Sequence, residues 1–419
     1  MSKQYDVVIV GAGMVGAAIA CGLARSNFKV AVIDPLLPPA YVEGEAPHIR
    51  VSAISYASEQ ILKNLGAWQY IEGKRLCPYR RLAVNEMPAK KGLSALLPDI
   101  STWARTEFDC SQIGQSHLGN IIENDIVHLA LHEAMNGLEN VSVYCPDKIE
   151  EMELDGELKT LTLSKAGDIS GRVVIGADGA QSRVREQASL GQYKDKYAQH
   201  AFVCTAAYEG SQEDITWQSF TSHGPLAFLP LADSGKEHFG SLVWYDLPES
   251  VGKLSQMGNE ELLATIKAAY PSELPTITRI VEHASFPLFK SHAINYVRQG
   301  VALAGDAAHT INPLAGQGVN LGFMDAAMLI EILGQAHLAG EDIASLEVLQ
   351  RYQKSRRPEN QKMMSIMDMF YHGFSNELLP LRVVRNIGLG LANNSGPAKN
   401  KVMQYAVGAI GNLPKLAQA

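Results

Sequence analysis

Glycine-rich turns accompanied by aspartates are the residues of this chain best suited to bind a ligand. The first turn spans residues 11–16 (GAGMVG), and Asp34 follows its last glycine by 18 residues. A second turn begins at Gly305 and Asp306, far along the chain. Exposed backbone N–H groups at such turns bind phosphate, and a nearby carboxylate binds ribose hydroxyls. The predicted chemistry is therefore that of a dinucleotide site.

The elements around the first turn have the order that a dinucleotide fingerprint requires. Apolar residues 5–10 predict a buried strand, a small-residue helix runs to about residue 26, and residues 28–33 predict a second strand that ends at Asp34. Gly11 makes the tight turn, Gly13 admits a pyrophosphate, and Gly16 lets the helix pack on the strand. The alternative is a close-packed β–α turn without a ligand.

The second turn lies between a predicted strand at 301–304 and a predicted helix at 318–334. Asp306 follows the strand, and the positive end of the helix favours an anion nearby. The alternative is an ordinary strand–helix loop whose glycines serve the turn. The loop and helix start carry four further candidate residues, Pro313, Gly316, Gly318 and Asn320.

Two isolated polar residues have functional and structural interpretations. Asp178 follows a predicted strand at 172–176, which places it either at the nucleotide crevice or in a structural role as a turn residue or helix N-cap. Arg50 precedes the apolar segment 51–55 and is either a cation for a phosphate or a cofactor ring edge, or a plain surface arginine. The pattern alone does not decide between these readings.

The predicted fold class is α/β, a Rossmann-like domain with an inserted antiparallel β-sheet domain and C-terminal helices. Residues 1–75, 100–185 and 290–335 form the nucleotide domain, 76–99 and 186–289 the sheet domain, and 336–419 the helical region. Large side chains in the sheet domain are either core or the wall of an apolar pocket. The pocket candidates are Trp217, Phe228, Pro230 and Tyr245.

Composition limits the classes of partner and compartment. The 419 residues carry a net charge of −8, which argues against general nucleic-acid binding. Five cysteines without CxxC spacing indicate a reducing compartment and no zinc or other metal site. We expect no signal peptide and no membrane span. The basic, apolar tail from residue 378 either packs on the protein itself or touches a membrane surface.

Three separated motifs resemble, in order and spacing, those of the single-component FAD-dependent aromatic hydroxylases. They are residues 11–16, residues 177–179, and residues 305–309 together with Pro313 and residues 316–320. The resemblance covers about residues 1–370. Within that class the chain is similar to the ring hydroxylases of ubiquinone biosynthesis, through residues 48–55, 78–82, 216–220, 227–231 and 241–246. Residues 86–115 do not follow the family pattern, so no pocket residue is predicted there.

This resemblance assigns a role to each candidate. It implies that the ADP half of FAD is held by Gly11, Gly13, Gly16 and Asp34. It implies that Arg50 approaches the flavin side, that Asp178 lies near FAD in a loop also associated with NAD(P)H, and that Asp306 binds the ribityl chain or pyrophosphate. The loop residues placed against the isoalloxazine, and hence nearest the reaction, are Pro313, Gly316, Gly318 and Asn320. No catalytic base is implied.

The resemblance further implies an NAD(P)H- and O2-dependent monooxygenase that hydroxylates the ring of a polyprenyl methoxy-methyl-benzoquinol through a flavin C4a-hydroperoxide. Such an enzyme is expected in the cytoplasm, in a ubiquinone-biosynthesis complex or peripherally at the inner face of the membrane. Two alternatives stay open. One is a sister hydroxylase that acts at another ring carbon, and the other is an FAD reductase or redox sensor that inserts no oxygen.

Overall fold

The computed structural model describes residues 3–87, 105–271, 273–312, 316, 318–374, 393 and 395–418. A sheet of eight strands forms the centre of the nucleotide-binding part. Its main path is β17-β18-β11-β1-β2-β8, and β9 and β10 extend it from β11. The strands are β1 (Lys3–Val10), β2 (Val30–Ile33), β8 (Val141–Tyr144), β9 (Ile149–Glu153), β10 (Lys159–Leu163), β11 (Gly167–Gly176), β17 (Val297–Arg298) and β18 (Val301–Leu303).

Burial on both faces explains why the inner strands are continuous apolar runs. Val7, Val8 and Ile9 have no exposed surface, and β2 is buried throughout. Helix α1 (Met14–Arg25) packs so closely on the long helix α8 (Gly318–Leu338) that a Cβ at Gly22 would lie 2.3 Å from Ile330 Cδ1. The small residues of α1 therefore serve helix–helix contact.

A three-stranded sheet connects the two larger sheets. It has the order β3-β7-β4, formed by β3 (Val51–Ser55), β4 (Leu76–Tyr79) and β7 (Gly119–Glu123). Three helices border it, α2 (Tyr56–Asn64), α3 (Gln69–Glu72) and α4 (Asn124–Asn136). Strand β7 runs directly into α4, so the end of this small sheet is also the start of a helix beside the nucleotide turn.

The third sheet has eight strands in the order β19-β16-β12-β15-β14-β13-β5-β6. They are β5 (Arg81–Glu86), β6 (Thr106–Asp109), β12 (Gln192–Tyr208), β13 (Ile215–Thr221), β14 (Gly224–Ser234), β15 (Glu237–Asp246), β16 (Ile277–Ala293) and β19 (His309–Thr310). All neighbours are antiparallel except β5 and β13, which are parallel. Helices α6 (Pro248–Gln256) and α7 (Asn259–Ala269) cover one face.

The remaining helices complete the described chain. They are α5 (Arg183–Gln187), α9 (Leu346–Phe374) and α10 (Pro397–Ala406). Among the described helices only Gly318–Leu338 is long and apolar enough to cross a membrane, and 72% of its apolar window is buried inside the protein. Since α8 packs against α1 and α9, its apolar character is that of a core helix.

The predicted fold class is confirmed: a Rossmann-like sheet, a largely antiparallel second sheet and C-terminal helices are all present. The proposed domain boundaries stay a prediction. One stretch inside the predicted nucleotide segment 100–185 behaves differently, because β6 hydrogen-bonds to β5 in the third sheet. Helix α9 also touches both large sheets, through β17 and through Met367 against Leu288.

Candidate functional site

The predicted motifs meet at one edge of the parallel sheet. Val10 is the register neighbour of Gly176 in β11, and Gly176 is the neighbour of Leu303 in β18. Carboxyl ends of parallel strands share an edge, where open α/β sheets bind their ligands. The glycine turn after β1, the Asp178 loop after β11 and the Asp306 turn after β18 therefore lie side by side.

The three fingerprint glycines have three different physical causes. Gly11 has φ +100°, and a Cβ there would lie 2.4 Å from the Ala177 carbonyl oxygen. A Cβ on Gly16 would lie 1.9 Å from the Gly11 carbonyl oxygen. Around Gly13 no heavy atom outside the adjoining chain lies within 4 Å of the Cβ position. Gly11 and Gly16 thus serve the fold, whereas Gly13 borders open space that a phosphate can enter.

Asp34 braces the same turn. Its Oδ2 accepts a hydrogen bond from the Ala12 amide at 2.7 Å, and its Oδ1 accepts one from the Leu36 amide at 2.9 Å. The carboxylate is only half-buried and each oxygen has a second lone pair. Asp34 can therefore hold the turn and still bind hydroxyl groups of a ligand.

Two histidines of α4 complete the turn and were not found from the sequence. The Nε2 atoms of His128 and His132 lie 2.8 Å and 2.9 Å from the Ala12 carbonyl oxygen. Burial and the neighbouring His132 lower the pKa of His128, which favours its neutral form. Their i, i+4 spacing put them on one helix face, but nothing local indicated which backbone that face would meet.

Asp306 is open to solvent, yet much of its surroundings is protein rather than water. Its side chain is exposed at the turn Gly305–Ala307. The protein around it raises its pKa by desolvation, and the nearby charges of His309 and Arg50 oppose that rise. A carboxylate in such a recess can accept hydrogen bonds from the hydroxyls of a bound ligand.

Beneath this turn lies a buried ionic network that sequence reasoning missed. Asp325 on α8 is fully buried and accepts hydrogen bonds from the Gly305 amide at 3.2 Å and from His309 Nε2 at 2.6 Å. Its other oxygen accepts from Arg356 Nε and Asn360 Nδ2, both at 2.9 Å. Against strong desolvation, these partners lower the pKa of Asp325 to about 2. The network fixes the turn that presents Asp306.

Asn320 and the glycines before it join α8 to strand β3. The Asn320 carboxamide accepts from the Ser55 amide at 3.0 Å and donates to the Ala53 carbonyl at 2.8 Å. Gly316 has φ +61°, and its Cβ position lies 3.3 Å from Ala53 Cβ. Gly318 begins α8 and has open space at its Cβ position. The predicted site residue Pro313 lies outside the described residues.

Asp178 hydrogen-bonds to the start of α5, whose N-cap residue is Ser182. It accepts hydrogen bonds from Ser182 Oγ at 2.5 Å and from the Val184 amide at 3.2 Å, at the start of α5. A cofactor contact for this residue stays a prediction. Arg185, which follows on α5, donates to the Ala307 carbonyl at 2.7 Å and to the Ala180 carbonyl at 2.9 Å. Arg185 therefore ties the Asp178 loop to the Asp306 turn.

The predicted pocket residues separate between the two faces of the third sheet. Trp217 and Phe228 are register partners in the core beneath α6 and α7, and alternation puts Pro230 on the same face. These residues are therefore part of the hydrophobic core and not the wall of a pocket. Tyr245 is on the opposite face with Met367 of α9. On the same face but toward the start of β15, Phe239 packs with Leu231 against Ala53 of β3, on the side of the nucleotide domain.

Comparison with known proteins identifies the class. Residues 4–366 match the family model described as FAD binding domain, and the chain belongs to that family. The fold is shared with p-nitrophenol 4-monooxygenase PnpA from Pseudomonas putida DLL-E4, at a TM-score of 0.75 and 21% identity over 98% of both chains. The protein is an FAD-dependent monooxygenase.

Within this class the chain belongs to the hydroxylases of ubiquinone biosynthesis. It is 42% identical to 3-demethoxyubiquinol 3-hydroxylase of Escherichia coli strain K12, over 97% of this chain and 99% of the relative. It is 31% identical to ubiquinone hydroxylase UbiL of Rhodospirillum rubrum, over 97% of this chain and 90% of that protein.

The described residues fit FAD. Open space at Gly13 suits a pyrophosphate, and the half-buried Asp34 suits ribose hydroxyls. Asp306 is open to solvent at the same sheet edge, next to Gly305, whose amide is bound by Asp325. Backbone amides and carboxylates thus occur together at the edge where such sheets bind dinucleotides.

Proposed function

We propose that the protein is an NAD(P)H- and O2-dependent monooxygenase that hydroxylates the ring of a polyprenyl methoxy-methyl-benzoquinol. The substrate we propose is 2-octaprenyl-3-methyl-6-methoxy-1,4-benzoquinol. The observation that carries this choice is the 42% identity to 3-demethoxyubiquinol 3-hydroxylase, which extends over nearly the full length of both chains. Residues 216–220 and 241–246, which already resembled such hydroxylases, lie in β13 and β15 of the third sheet.

Bound FAD would supply the oxygen-activating chemistry, and the chain would bind and orient it. In this proposal Gly11, Gly13, Gly16 and Asp34 hold the ADP half, and Asp306 holds the ribityl chain or pyrophosphate. Gly316, Gly318 and Asn320 would lie along the ring, as would Pro313. The N-terminus of the 21-residue helix α8 begins at Gly318, so its partial positive charge favours an anionic ring edge there.

The chain's second task is to exclude water from the reacting groups. The face of the third sheet toward β3 carries Leu229, Leu231 and Phe239, packed with Ala53. This face is apolar and adjoins the strand that Asn320 holds beside the Gly316 loop. We infer that a greasy quinol ring is received on this side of the sheet, where Tyr245 also lies.

The decisive experiment supplies purified, FAD-loaded protein with NADH or NADPH and a short-chain analogue of the quinol under 18O2. We expect substrate-dependent consumption of the nicotinamide and one 18O atom on a ring carbon of the product. Nicotinamide oxidation that yields no labelled ring product would refute the proposal. That result would favour an FAD reductase or a redox sensor.

A second candidate is a sister hydroxylase that acts at another ring carbon. It is compatible with the relatives at 30 to 31% identity, whose names specify no ring carbon; they include ubiquinone biosynthesis monooxygenase COQ6 of Homo sapiens, at 30% over 96% of this chain. Mass spectrometry or NMR that locates the new hydroxyl separates the two. The lipid intermediate that accumulates when the gene is deleted gives an independent answer.

We also propose a cytoplasmic protein that acts peripherally at the inner face of the membrane, alone or in a biosynthetic complex. The reason is chemical, because a polyprenyl chain partitions into lipid. Flotation of the protein with vesicles of anionic phospholipid is the test. Recovery of all protein in the soluble fraction, with and without substrate in the vesicles, would oppose it.

A further inference from the structure

Residues 48–52, which carry Arg50, are attached to the junction between β7 and α4. Glu123 Oε1 accepts a hydrogen bond from the His48 amide at 2.8 Å. The Asn124 amide donates to the Arg50 carbonyl at 2.9 Å, and Asn124 Oδ1 accepts from Ser52 Oγ at 2.6 Å. Every second residue of the segment is thereby held. We call Glu123, Asn124 and their neighbour Asp125, residues 123–125, the bracket.

The bracket also holds the His48 ring. Asp125 Oδ2 lies 2.8 Å from His48 Nδ1, and the hydrogen bond from Asp125 raises the pKa of His48. Strand pairing continues the attachment, since Val51 is the register neighbour of Glu123. The backbone before and after Arg50 therefore has no freedom to rotate independently.

Glu123 is fixed from behind by Arg75. Arg75 Nε and Nη2 donate to the two carboxylate oxygens of Glu123 at 2.7 Å and 3.0 Å, a bidentate pair in which both residues are buried. Arg75 Nη1 donates to the Glu45 carbonyl at 2.8 Å, and the guanidinium lies 4.9 Å from the Tyr41 ring centre. One buried ion pair thus orders the loop ahead of His48 as well.

The Arg50 side chain differs from this anchored backbone. It is exposed, and no hydrogen bond or ion pair of its guanidinium occurs among the residues that the structure describes. Its charge nevertheless acts on the Asp306 carboxylate across the sheet edge. The backbone of Arg50 is fixed while its guanidinium has no partner among the described residues, so the guanidinium is available to bind an anionic ligand.

We propose that Glu123, held by Arg75, is the positioning residue that aims Arg50 at an anionic group of FAD, either a phosphate or the anionic edge of the reduced ring. The inference rests on the proposed function, in which Arg50 approaches the flavin side. It goes further in assigning Arg75, Glu123 and Asn124 to the orientation of that one cation.

The test is a double-mutant cycle on FAD affinity, measured by titrating FAD into apoprotein. One arm is Arg50→Ala. The other is the double substitution Arg75→Met with Glu123→Leu, called the bracket variant, which avoids leaving a buried charge unpaired. The third protein combines all three changes, and Glu133→Leu on the exposed face of α4 is the matched control. Thermal midpoints of the apoproteins are recorded in parallel.

We expect Arg50→Ala and the bracket variant each to weaken FAD binding about tenfold, as expected for one charge-assisted hydrogen bond. The combined protein should be no weaker than Arg50→Ala alone, because both changes remove the same interaction. The control should bind as the unaltered protein does. If the two losses multiply in the combined protein, Glu123 has a general structural effect and the inference is overturned.

Two further outcomes separate this inference from the proposed function. A bracket variant that binds FAD normally, when Arg50→Ala does not, overturns the positioning role only. If the double-mutant cycle gives the expected FAD affinities but the enzyme inserts no oxygen, only the proposed function is overturned. Where the bracket variant does not fold, Asn124→Ala replaces it, since that change removes only the bond to Ser52.

Discussion

His309 and Asp325 are hydrogen-bonded at 2.6 Å, in a place where their side chains are 1% and 0% exposed. The Asp325 carboxylate also accepts a hydrogen bond from the Gly305 amide. One buried charge therefore holds Gly305 and His309, on either side of Asp306. Charges this deeply buried persist only when paired and hydrogen-bonded, a condition that Arg356 and Asn360 complete.

Asp325→Asn should destabilise the protein by about 3–5 kcal/mol, because it leaves the buried Arg356 without a counter-charge. FAD should also be lost from the purified protein, because the Asp306 turn loses its support. Urea unfolding and the ratio of flavin to protein absorbance measure the two effects. Asp155→Asn, at an exposed carboxylate, is the control. A fully loaded variant of normal stability would contradict the role given to Asp325.

The same residue predicts a dependence of stability on acid. The pKa of Asp325 is lowered from 3.8 to about 2 in the folded protein, so its stabilising contribution is present above pH 4 and is lost as the pH falls through 2. The contribution is about 2 kcal/mol. The difference in unfolding free energy between unaltered protein and Asp325→Asn should therefore shrink between pH 5 and pH 2. A constant difference over that range would contradict a stabilising role for the ionised Asp325 carboxylate.

A valine at Gly13 should affect FAD binding, whereas a valine at Gly16 should affect the stability of the apoprotein. Gly13 has open space, so Gly13→Val should keep the thermal midpoint of the apoprotein while abolishing FAD binding. At Gly16 the added Cβ would meet the Gly11 carbonyl oxygen at 1.9 Å, so Gly16→Val should unfold the domain itself. Differential scanning fluorimetry with and without FAD distinguishes them. Yellow Gly13→Val protein would exclude close approach of the cofactor there.

Asp306→Ala should weaken FAD retention by about tenfold or more, the effect of a lost hydrogen bond to a charged acceptor. Its apoprotein should be as stable as the unaltered protein or slightly more stable, since desolvation raises the pKa of this carboxyl. Equilibrium dialysis against FAD supplies the measurement. Wild-type flavin stoichiometry at low FAD concentration would remove Asp306 from the cofactor site.

Phe228 and Tyr245 should respond differently to truncation. Phe228→Ala leaves a cavity in a fully buried core and should cost about 3–5 kcal/mol. At a temperature where it is folded, its KM for the quinol analogue should be unchanged. Tyr245→Ala, on the face toward α9, should raise KM as well as destabilise. Equal KM values for all three proteins would place the substrate elsewhere.

Much of the fold was readable from the chain because its signals are local. Residues 5–10, the turn 11–16 and Asp34 lie within one βαβ unit, and the structure has that unit with strands in parallel register. The helix predicted at residues 318–334 is also present and runs over Gly318–Leu338. Such patterns depend on neighbours a few positions apart, which sequence displays directly.

The partners of the site could not be read in this way, because they come from distant segments. Asp325 and Arg356 each look like an ordinary helical residue, and only the packing of α8 on α9 reveals the pair. His128 and His132 reach Ala12 from about 120 positions away. Trp217 and Phe228 stayed open between core and pocket wall, because the sequence does not show that helices cover their face of the third sheet.

Helix α9 has a consequence for how the protein is made. Its Tyr352 donates to the Leu303 carbonyl, and its Arg356 and Asn360 complete the charge network under the Asp306 turn. These side chains leave the ribosome long after the glycine turn at residues 11–16. The nascent chain can therefore form its first βαβ unit early, yet the charge network beneath the Asp306 turn is incomplete until α9 has been synthesised.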